Sequence, residues 1–177
     1  MMETCDVVII GGGAAGLMCG RVAGRRGRSA LILDHANRPA EKIRISGGGR
    51  CNFTNLHSTP TAFLSHNRHF CKSAFTRYTQ DDFIDLVKKY GIAFHEKKLG
   101  QLFCDDSAQQ IIDMLLAECV GAGTELRLQT SVGGIAALPD VGYRVEASCG
   151  VVECASLVIA TGGLSVPKIG ATRFGYD

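Results

Sequence analysis

Asp6-Val-Val-Ile-Ile-Gly-Gly-Gly-Ala-Ala-Gly16 is the stretch of the sequence that decides the fold. The run up to Ile10 is continuously apolar, which is typical of a parallel strand covered on both faces. The glycines at 11, 13 and 16 form a GxGxxG pattern, and the small residues that follow predict a helix over 14–26. A second apolar run, 29–33, ends at Asp34. These elements predict a βαβ unit and therefore an α/β fold.

The spacing of these glycines gives each of them a physical role. Gly11 permits a tight turn, Gly13 lets the backbone approach a pyrophosphate, and Gly16 allows close packing of the helix on the strand. The helix N-terminus stabilises negative charge. Asp34, eighteen residues after Gly16, is placed to accept hydrogen bonds from an adenosine ribose. The pattern predicts a dinucleotide site but does not separate NAD from FAD.

The sequence after Asp34 favours FAD. A long irregular segment over 36–68 is followed by a helix from Thr79, a hairpin over 94–103, a second helix from about Ser107 and a β-meander. The apolar run 157–160 then predicts a parallel strand that rejoins the first sheet and ends in small residues, which leave room for a ligand. This order is that of glutathione-reductase-like flavoproteins of the two-dinucleotide-binding type.

A second glycine-rich stretch, KIRISGGGRCNFTN over 42–55, permits three interpretations. It could cradle a phosphate, carry a redox thiol or be only a flexible loop. No second cysteine lies four or five residues from Cys51, which argues against a dithiol of the disulfide-reductase kind. We interpret the stretch as a second cofactor loop, in which Arg50 supplies positive charge and Cys51 is a small neutral neighbour of the flavin.

Together with LGQLFCDDSAQQIIDML over 99–115 and LVIATGGLSVPKIGATRFGYD over 157–177, these motifs resemble the BaiN-like and aminoacetone-oxidase-like predicted flavoprotein family of bacteria. The resemblance covers essentially the whole chain. It implies that 1–177 is an FAD-binding domain, the N-terminal portion of a longer fold whose substrate domain and returning C-terminal FAD segment are not in this chain. It also implies an FAD-dependent oxidoreductase that transfers hydride between FAD and NAD(P)H or a small amine, ketone or steroid-like substrate.

The resemblance further implies cofactor-binding positions in five segments of the chain, but no catalytic acid or base and no metal site. Two departures from the family pattern are Asp34, where many members have Glu, and Cys104, where many have Pro. The implied cofactor-binding residues are Gly11, Gly13, Ala14, Ala15, Gly16, Asp34, Lys42, Ser46, Gly47, Gly48, Arg50, Asn52, Val132, Ala160, Thr161 and Gly162.

Two other functions stay open at this point. One is a non-catalytic FAD- or nucleotide-binding module, such as an inactive truncated flavoprotein. The other, less favoured, is a fragment of an NAD-dependent dehydrogenase.

The composition of the chain limits which kinds of binding partner we expect. The formal charge of +2 is too balanced to indicate a nucleic-acid partner. The eight cysteines form no CxxC pair, which argues against a zinc ribbon or an iron–sulfur cluster. The sequence shows no signal-peptide pattern, so we expect the cysteines to be reduced thiols in the cytoplasm. The charge-free stretch 7–20 is shorter than the roughly 18 residues of a membrane span. We therefore expect a cytoplasmic bacterial enzyme with a small-molecule substrate and no nucleic-acid or membrane partner.

Overall fold

The computed structural model describes residues 2–139 and 142–163, and the chain divides into two compact units. The first unit comprises residues 1–42 and 115–177, and the second comprises residues 43–114. The strands and helices in chain order are β1 (Glu3–Ile10), α1 (Ala14–Arg25), β2 (Ala30–Leu33), α2 (Glu41–Ile45), β3 (Asn52–Asn55), α3 (Lys72–Arg77), α4 (Gln80–Lys89), β4 (Phe94–Glu96), β5 (Gln101–Cys104), α5 (Ala108–Gly121), β6 (Glu125–Arg127), β7 (Val132–Leu138), β8 (Gly142–Ala147) and β9 (Gly150–Ile159).

The first unit contains a six-stranded sheet with the order β6-β2-β1-β9-β8-β7. Strand β1 pairs in parallel with β2 and with β9, and β2 pairs in parallel with β6. The strands β7, β8 and β9 pair in antiparallel fashion. The prediction of an α/β Rossmann-like fold with a β-meander is therefore confirmed.

Two details of the predicted strands are wrong. The sequence pattern separates Val151–Val152 from the run 157–160, but both belong to the single strand β9. Its first half pairs with β8 and its whole length runs beside β1. The alternation of Leu126 and Leu128 with polar residues also predicts a strand of the meander. Leu126 instead lies in β6, a parallel strand at the edge of the sheet.

The core of the first unit lies on both faces of the parallel strands. On one face, Val8, Leu31 and Val145 belong to a buried cluster. On the other face α1 packs closely, because a Cβ added at Gly20 would lie 2.9 Å from Cδ1 of Ile32. The buried carboxylate of Glu118 accepts hydrogen bonds from two arginines of α1.

The second unit contains an antiparallel sheet with the order β3-β5-β4 and the helices α3 and α4. The order Thr79-Gln-Asp-Asp82 predicts a capping box with Asp in place of Glu. Helix α4 begins with this box, in which Thr79 and Asp82 exchange hydrogen bonds. Phe53 of β3 packs against Phe83 of α4 and Phe94 of β4. The predicted hairpin over 94–103 is confirmed by the pairing of β4 with β5.

The predicted irregular segment 36–68 contains more regular structure than its pattern indicates. It includes α2 and β3, and α3 follows it. These elements are only four to six residues long, too short to show a clear period. The spacing of Phe83, Leu86, Val87 and Tyr90 predicts the inward face of the helix from Thr79. Tyr90, which directly follows α4, is instead 38% exposed, whereas Ile84 is buried.

Within the described residues, no helix is long and apolar enough to span a membrane. Part of the motif over 157–177, from residue 164 onward, lies outside the described residues. The assignment of 1–177 to one FAD-binding domain stays a prediction.

Candidate cofactor-binding site

The turn between β1 and α1 requires glycine at two positions for the fold itself. Gly11 has φ +111°, and a Cβ there would lie 2.5 Å from the carbonyl oxygen of Ala160. A Cβ at Gly16 would lie 1.9 Å from the carbonyl oxygen of Gly11. Any side chain at either position would collide with backbone, so these two glycines close the turn and seat α1 against it.

Gly13 differs from both neighbours in the motif. It is the N-cap of α1, with φ −83° and ψ −171°, and no side chain caps the helix there. A Cβ at Gly13 would meet nothing within 4 Å. The next residues, Ala14 and Ala15, are exposed and the first turn carries no acidic residue. The space beside this turn is therefore open, and the helix dipole favours an anion there.

Asp34 is held beside this turn by two backbone amides. Its Oδ2 accepts a hydrogen bond from the N–H of Gly12 at 2.6 Å, and its Oδ1 accepts one from Ala36 at 2.9 Å. The side chain is 13% exposed. Each carboxylate oxygen retains acceptor capacity, so the group can also bind hydroxyls of a ligand.

The start of β7 lies next to Asp34. The N–H of Thr130 donates to the carbonyl of Asp34 at 2.9 Å, and that of Gln129 donates to Ala36 at 3.0 Å. Two residues on, Val132 is half-buried against the core of the sheet. Val132, whose backbone we expect to hold the adenine, therefore lies two residues after Thr130, which is hydrogen-bonded to Asp34.

The segment after β9 also reaches this turn. The N–H of Ala160 donates to the carbonyl of Ile10 at 2.8 Å, and a Cβ at Gly11 would lie 3.1 Å from Cα of Thr161. Nζ of Lys42 donates to the carbonyl of Gly163 at 3.3 Å. Gly162, with φ +79°, lies between them. The structure therefore brings four parts of the predicted site together within the first unit: the glycine turn 11–16, Asp34, Lys42 and residues 160–162.

The second glycine loop belongs to the second unit. A 3-10 turn over Ser46–Gly48 is followed by Gly49 with φ +86°, and Gly48 has φ +69°. A Cβ at either residue would meet nothing within 4 Å, whereas one at Gly47 would lie 2.7 Å from the ring of Phe103. The loop therefore presents open backbone at 48–49 and packs at 47.

Backbone hydrogen bonds hold this loop in place. The carbonyl of Gly49 accepts the N–H of Ala108 at the start of α5 at 2.7 Å, and that of Arg50 accepts the N–H of Cys104 at 2.9 Å. The side chains of Arg50 and Asn52 are exposed, and the hydroxyl of Ser46 donates to the carbonyl of Ile43. A fixed backbone with exposed polar side chains suits ligand contact.

Cys51 is buried at the base of the loop in a left-handed conformation, with φ +51°. Such a φ in a non-glycine residue costs roughly 1 kcal/mol or more and is a reason to suspect function. Burial raises the pKa of the Cys51 thiol, so the thiol is protonated at neutral pH. Burial, with a further contribution from Cys51, raises the pKa of Cys104 to about 11.

The neighbouring thiol of Cys104 is a feature that sequence reasoning missed. The notion of a lone Cys51 rested on spacing along the chain, whereas the pairing of β3 with β5 places Cys104 beside the loop. Both cysteines are free thiols. Two protonated, buried thiols are poor nucleophiles, which agrees with the interpretation of Cys51 as a small neutral residue.

A histidine–carboxylate pair was also missed. Nδ1 of His95 lies 2.6 Å from Oδ1 of Asp105, and both side chains are 44% exposed. The His95 ring stacks on Phe103, its partner across the β4–β5 ladder, and Asn52 pairs with Phe103 on the other side. Cross-strand partners share a face. His95 therefore shares a sheet face with Asn52 of the glycine loop, and no sequence spacing reveals this.

Comparisons with known proteins agree with this architecture. The family model for the HI0933-like protein Rossmann domain matches residues 5–177. The chain is 56% identical over 175 residues to Ribosomal RNA dihydrouridine synthase of Escherichia coli (strain K12), covering 99% of this chain and 44% of that protein. It is 23% identical over 171 residues to 3-dehydro-bile acid delta(4,6)-reductase of Clostridium scindens, covering 95% and 41%. The chain thus spans less than half the length of these relatives.

A solved structure supports the fold alone. The 3-ketosteroid-delta4-(5alpha)-dehydrogenase of Rhodococcus jostii RHA1 superposes with a TM-score of 0.65 at 15% identity, covering 91% of this chain and 46% of that one. The predicted resemblance is confirmed for the Rossmann-domain family. The finer resemblance to aminoacetone oxidases finds no support in the name of the E. coli relative, which is a ribosomal RNA dihydrouridine synthase.

Proposed function

The chain belongs to the HI0933-like Rossmann-domain family, and from that premise we propose that it is the FAD-binding portion of a flavin-dependent reductase. The observation that carries the proposal is the open backbone at Gly13 beside the fixed carboxylate of Asp34. A fold that needed only a tight turn would leave neither feature. For the whole protein we propose uridine in ribosomal RNA as the substrate, which the name of the E. coli relative supports.

The residues present fit FAD. Its pyrophosphate needs unblocked amides at a helix N-terminus, which the turn around Gly13, Ala14 and Ala15 offers. Its adenosine ribose needs an acceptor at the end of the second strand, where Asp34 stands. The adenine would lie along the backbone at Val132. These positions stay predictions until a ligand is measured.

Bound FAD supplies hydride transfer, and the chain supplies binding and orientation. Asp34 orients the ribose through an already fixed carboxylate. Lys42 anchors the segment after β9 through its bond to Gly163 and brings a positive charge to it. Arg50 carries a second exposed positive charge on the glycine loop.

The names of the two relatives describe related chemistry. Forming dihydrouridine adds a hydride and a proton across a carbon–carbon double bond of uracil that is conjugated to a carbonyl. A delta(4,6)-reductase of a 3-dehydro bile acid acts on double bonds conjugated to a carbonyl at C3. The shared reaction is reduction of a conjugated double bond, with NAD(P)H as the proposed electron donor.

Such a reduction needs a proton as well as a hydride. His95, oriented by Asp105 and on the sheet face of Asn52, is our candidate donor. His95→Gln should slow dihydrouridine formation by about tenfold or more, with FAD content unchanged. Unchanged kinetics would remove His95 from the mechanism.

The deciding experiment uses the whole protein that carries these residues. We expect it to purify with a flavin absorption spectrum, to be reduced by NADPH, and to convert uridine to dihydrouridine in ribosomal RNA, measured by mass spectrometry of nucleosides. A colourless protein that does not bind added FAD would refute the flavoprotein assignment. FAD binding with turnover of bile-acid enones but not RNA would favour the steroid-like substrate instead.

The alternative of a non-catalytic module applies to the 177-residue chain taken alone. If this chain binds FAD but NADPH does not reduce the flavin, while the whole protein is reduced, the module description holds for the fragment. The predictions of a cytoplasmic location and of no nucleic-acid partner are untested. The second of these conflicts with an RNA substrate, and RNA binding by the whole protein decides between them.

A further inference from the structure

One segment of the second unit has a charge pattern that the balanced total conceals. From Ile43 to Gln80 the sequence contains no Asp or Glu, and all acidic residues of this unit lie between Asp81 and Asp113. The acid-free part carries positive or titratable side chains at Arg44, Arg50, His57, His66, Arg68, His69, Lys72 and Arg77. The segment itself therefore presents no carboxylate to an approaching polyanion.

Large apolar side chains are exposed within the same segment. Leu64 is 97% exposed, Phe70 is 53% exposed and Phe63 is 43% exposed. Single exposed apolar residues are ordinary, but three within eight positions form a patch that indicates a binding surface. Arg68 lies between Leu64 and Phe70, and Lys72 follows Phe70 by two residues. Within the described residues neither takes part in an ion pair. We call Phe63, Leu64, Arg68, Phe70 and Lys72 the aromatic–basic surface.

The aromatic rings of this surface are anchored. The ring of Phe63 packs edge-on against Phe70 at 6.5 Å and against the half-buried Phe75 at 5.2 Å between centroids. Buried Cys71 lies beside the carbonyl of Pro60, with its Sγ at 3.6 Å, which brings the ends of the loop 60–71 together. A compact loop with close ends and outward-facing rings is a common functional arrangement.

We propose that the aromatic–basic surface binds single-stranded RNA. Exposed rings give base-stacking platforms, and unpaired arginine and lysine contact phosphates. This combination distinguishes RNA from an acidic peptide, which offers no bases to stack. The inference rests on the proposed ribosomal RNA substrate and adds which surface of the second unit holds that RNA.

The test measures RNA affinity of the whole protein by fluorescence anisotropy, with a labelled uridine-rich single strand of about 15 nucleotides, a length within reach of known single-strand sites. Phe63→Ala and Phe70→Ala should each weaken binding by about 5- to 150-fold, the range of one lost base stack. Arg68→Gln with Lys72→Gln should reduce the slope of log affinity against log salt by about 1.4, for two phosphates on a single strand.

A matched control removes the same charge from α4 of the same unit. Lys88→Gln with Lys89→Gln should leave the affinity within about twofold and the salt slope nearly unchanged, since the nearby acids Asp81, Asp82 and Asp85 already weaken a phosphate site there. Leu64→Asp adds a negative charge at a side chain with almost no contacts, so it should weaken RNA binding without affecting folding.

The FAD spectrum and the rate of flavin reduction by NADPH should stay at the parent values in every variant. If the parent protein shows neither a flavin spectrum nor flavin reduction by NADPH, that result refutes the proposed function and not the aromatic–basic surface. Unchanged RNA affinity in the aromatic variants and in Leu64→Asp would overturn the surface. So would an equal loss in the control, or a loss of thermal stability in Leu64→Asp, which would mean that other parts of the protein cover the segment. Preferential binding of anionic lipid vesicles over the RNA would overturn it as well.

Discussion

Gly13→Ala separates ligand binding from folding better than any other change in the fingerprint. The position has φ −83°, which alanine adopts freely, and a Cβ there would meet nothing within 4 Å. Replacing glycine lowers the entropy of the unfolded chain, which stabilises by about 0.4–1 kcal/mol. Alanine is a poorer N-cap than glycine, at a cost of similar size. We therefore expect the free energy of unfolding to change by less than about 1 kcal/mol.

The same methyl group would stand in the open space beside the first turn of α1, where we propose that the pyrophosphate binds the helix amides. A pyrophosphate kept away from these amides loses at least one charge-assisted hydrogen bond, worth about 1.5–3 kcal/mol. The affinity for FAD should thus fall by roughly 10- to 150-fold. Isothermal titration of the deflavinated whole protein with FAD measures this loss, and urea unfolding measures stability.

Gly16→Ala is the comparison. Its Cβ would lie 1.9 Å from the carbonyl oxygen of Gly11, so α1 must move and the fold itself should lose about 1–3 kcal/mol or more. If Gly13→Ala binds FAD as tightly as the parent, the open space beside Gly13 is not the pyrophosphate site. In that case the reasoning from backbone geometry to ligand position fails.

Three further predictions concern Asp34, the second glycine loop and the start of α4. Asp34→Asn should weaken FAD binding about tenfold or more through loss of a charged acceptor, while Asp34→Glu should retain it; titration with FAD measures both. Arg50→Ala should weaken FAD retention during gel filtration and Cys51→Ser should not, so flavin loss in Cys51→Ser would restore the redox-thiol interpretation. The backbone amide of Thr79 holds the pKa of Asp82 below its ordinary value of 3.8, so Asp82 stabilises the protein above about pH 4, and that contribution is lost as pH falls through the lower folded-state pKa. Asp82→Asn should therefore destabilise at pH 6 and matter progressively less toward pH 3 in thermal melts; an equal effect at both would disprove the linkage.

Local patterns predict those parts of the fold that local physics determines. The apolar run to Ile10, the glycine turn and the capping box of α4 each depend on neighbours in the chain, and each is found where the sequence places it. The pattern divides strand β9 in two because its first half lies between β8 and β1, whereas its second half pairs with β1 and not with β8, which alters the burial pattern within one strand.

Contacts across the small sheet could not be predicted in the same way. Cys104 lies beside the glycine loop, and His95 lies beside Asp105, only because of the register of β3, β5 and β4. The spacing of residues along the chain does not predict that register when the strands are only three or four residues long. A search for catalytic or redox partners by motif therefore overlooks these residues.

Not every glycine of a GxGxxG motif indicates a bound ligand. Gly11 and Gly16 are required by backbone collisions, and a Cβ at Gly12 would lie 3.0 Å from Oδ2 of Asp34, so packing alone accounts for all three. At Gly13 neither φ nor a neighbour within the described residues requires glycine. A residue that the fold does not need, at a helix N-terminus without a side-chain cap, is explained by something that approaches from outside. The case for a bound dinucleotide thus depends on one glycine of the motif, and its substitution is the most direct way to test that case.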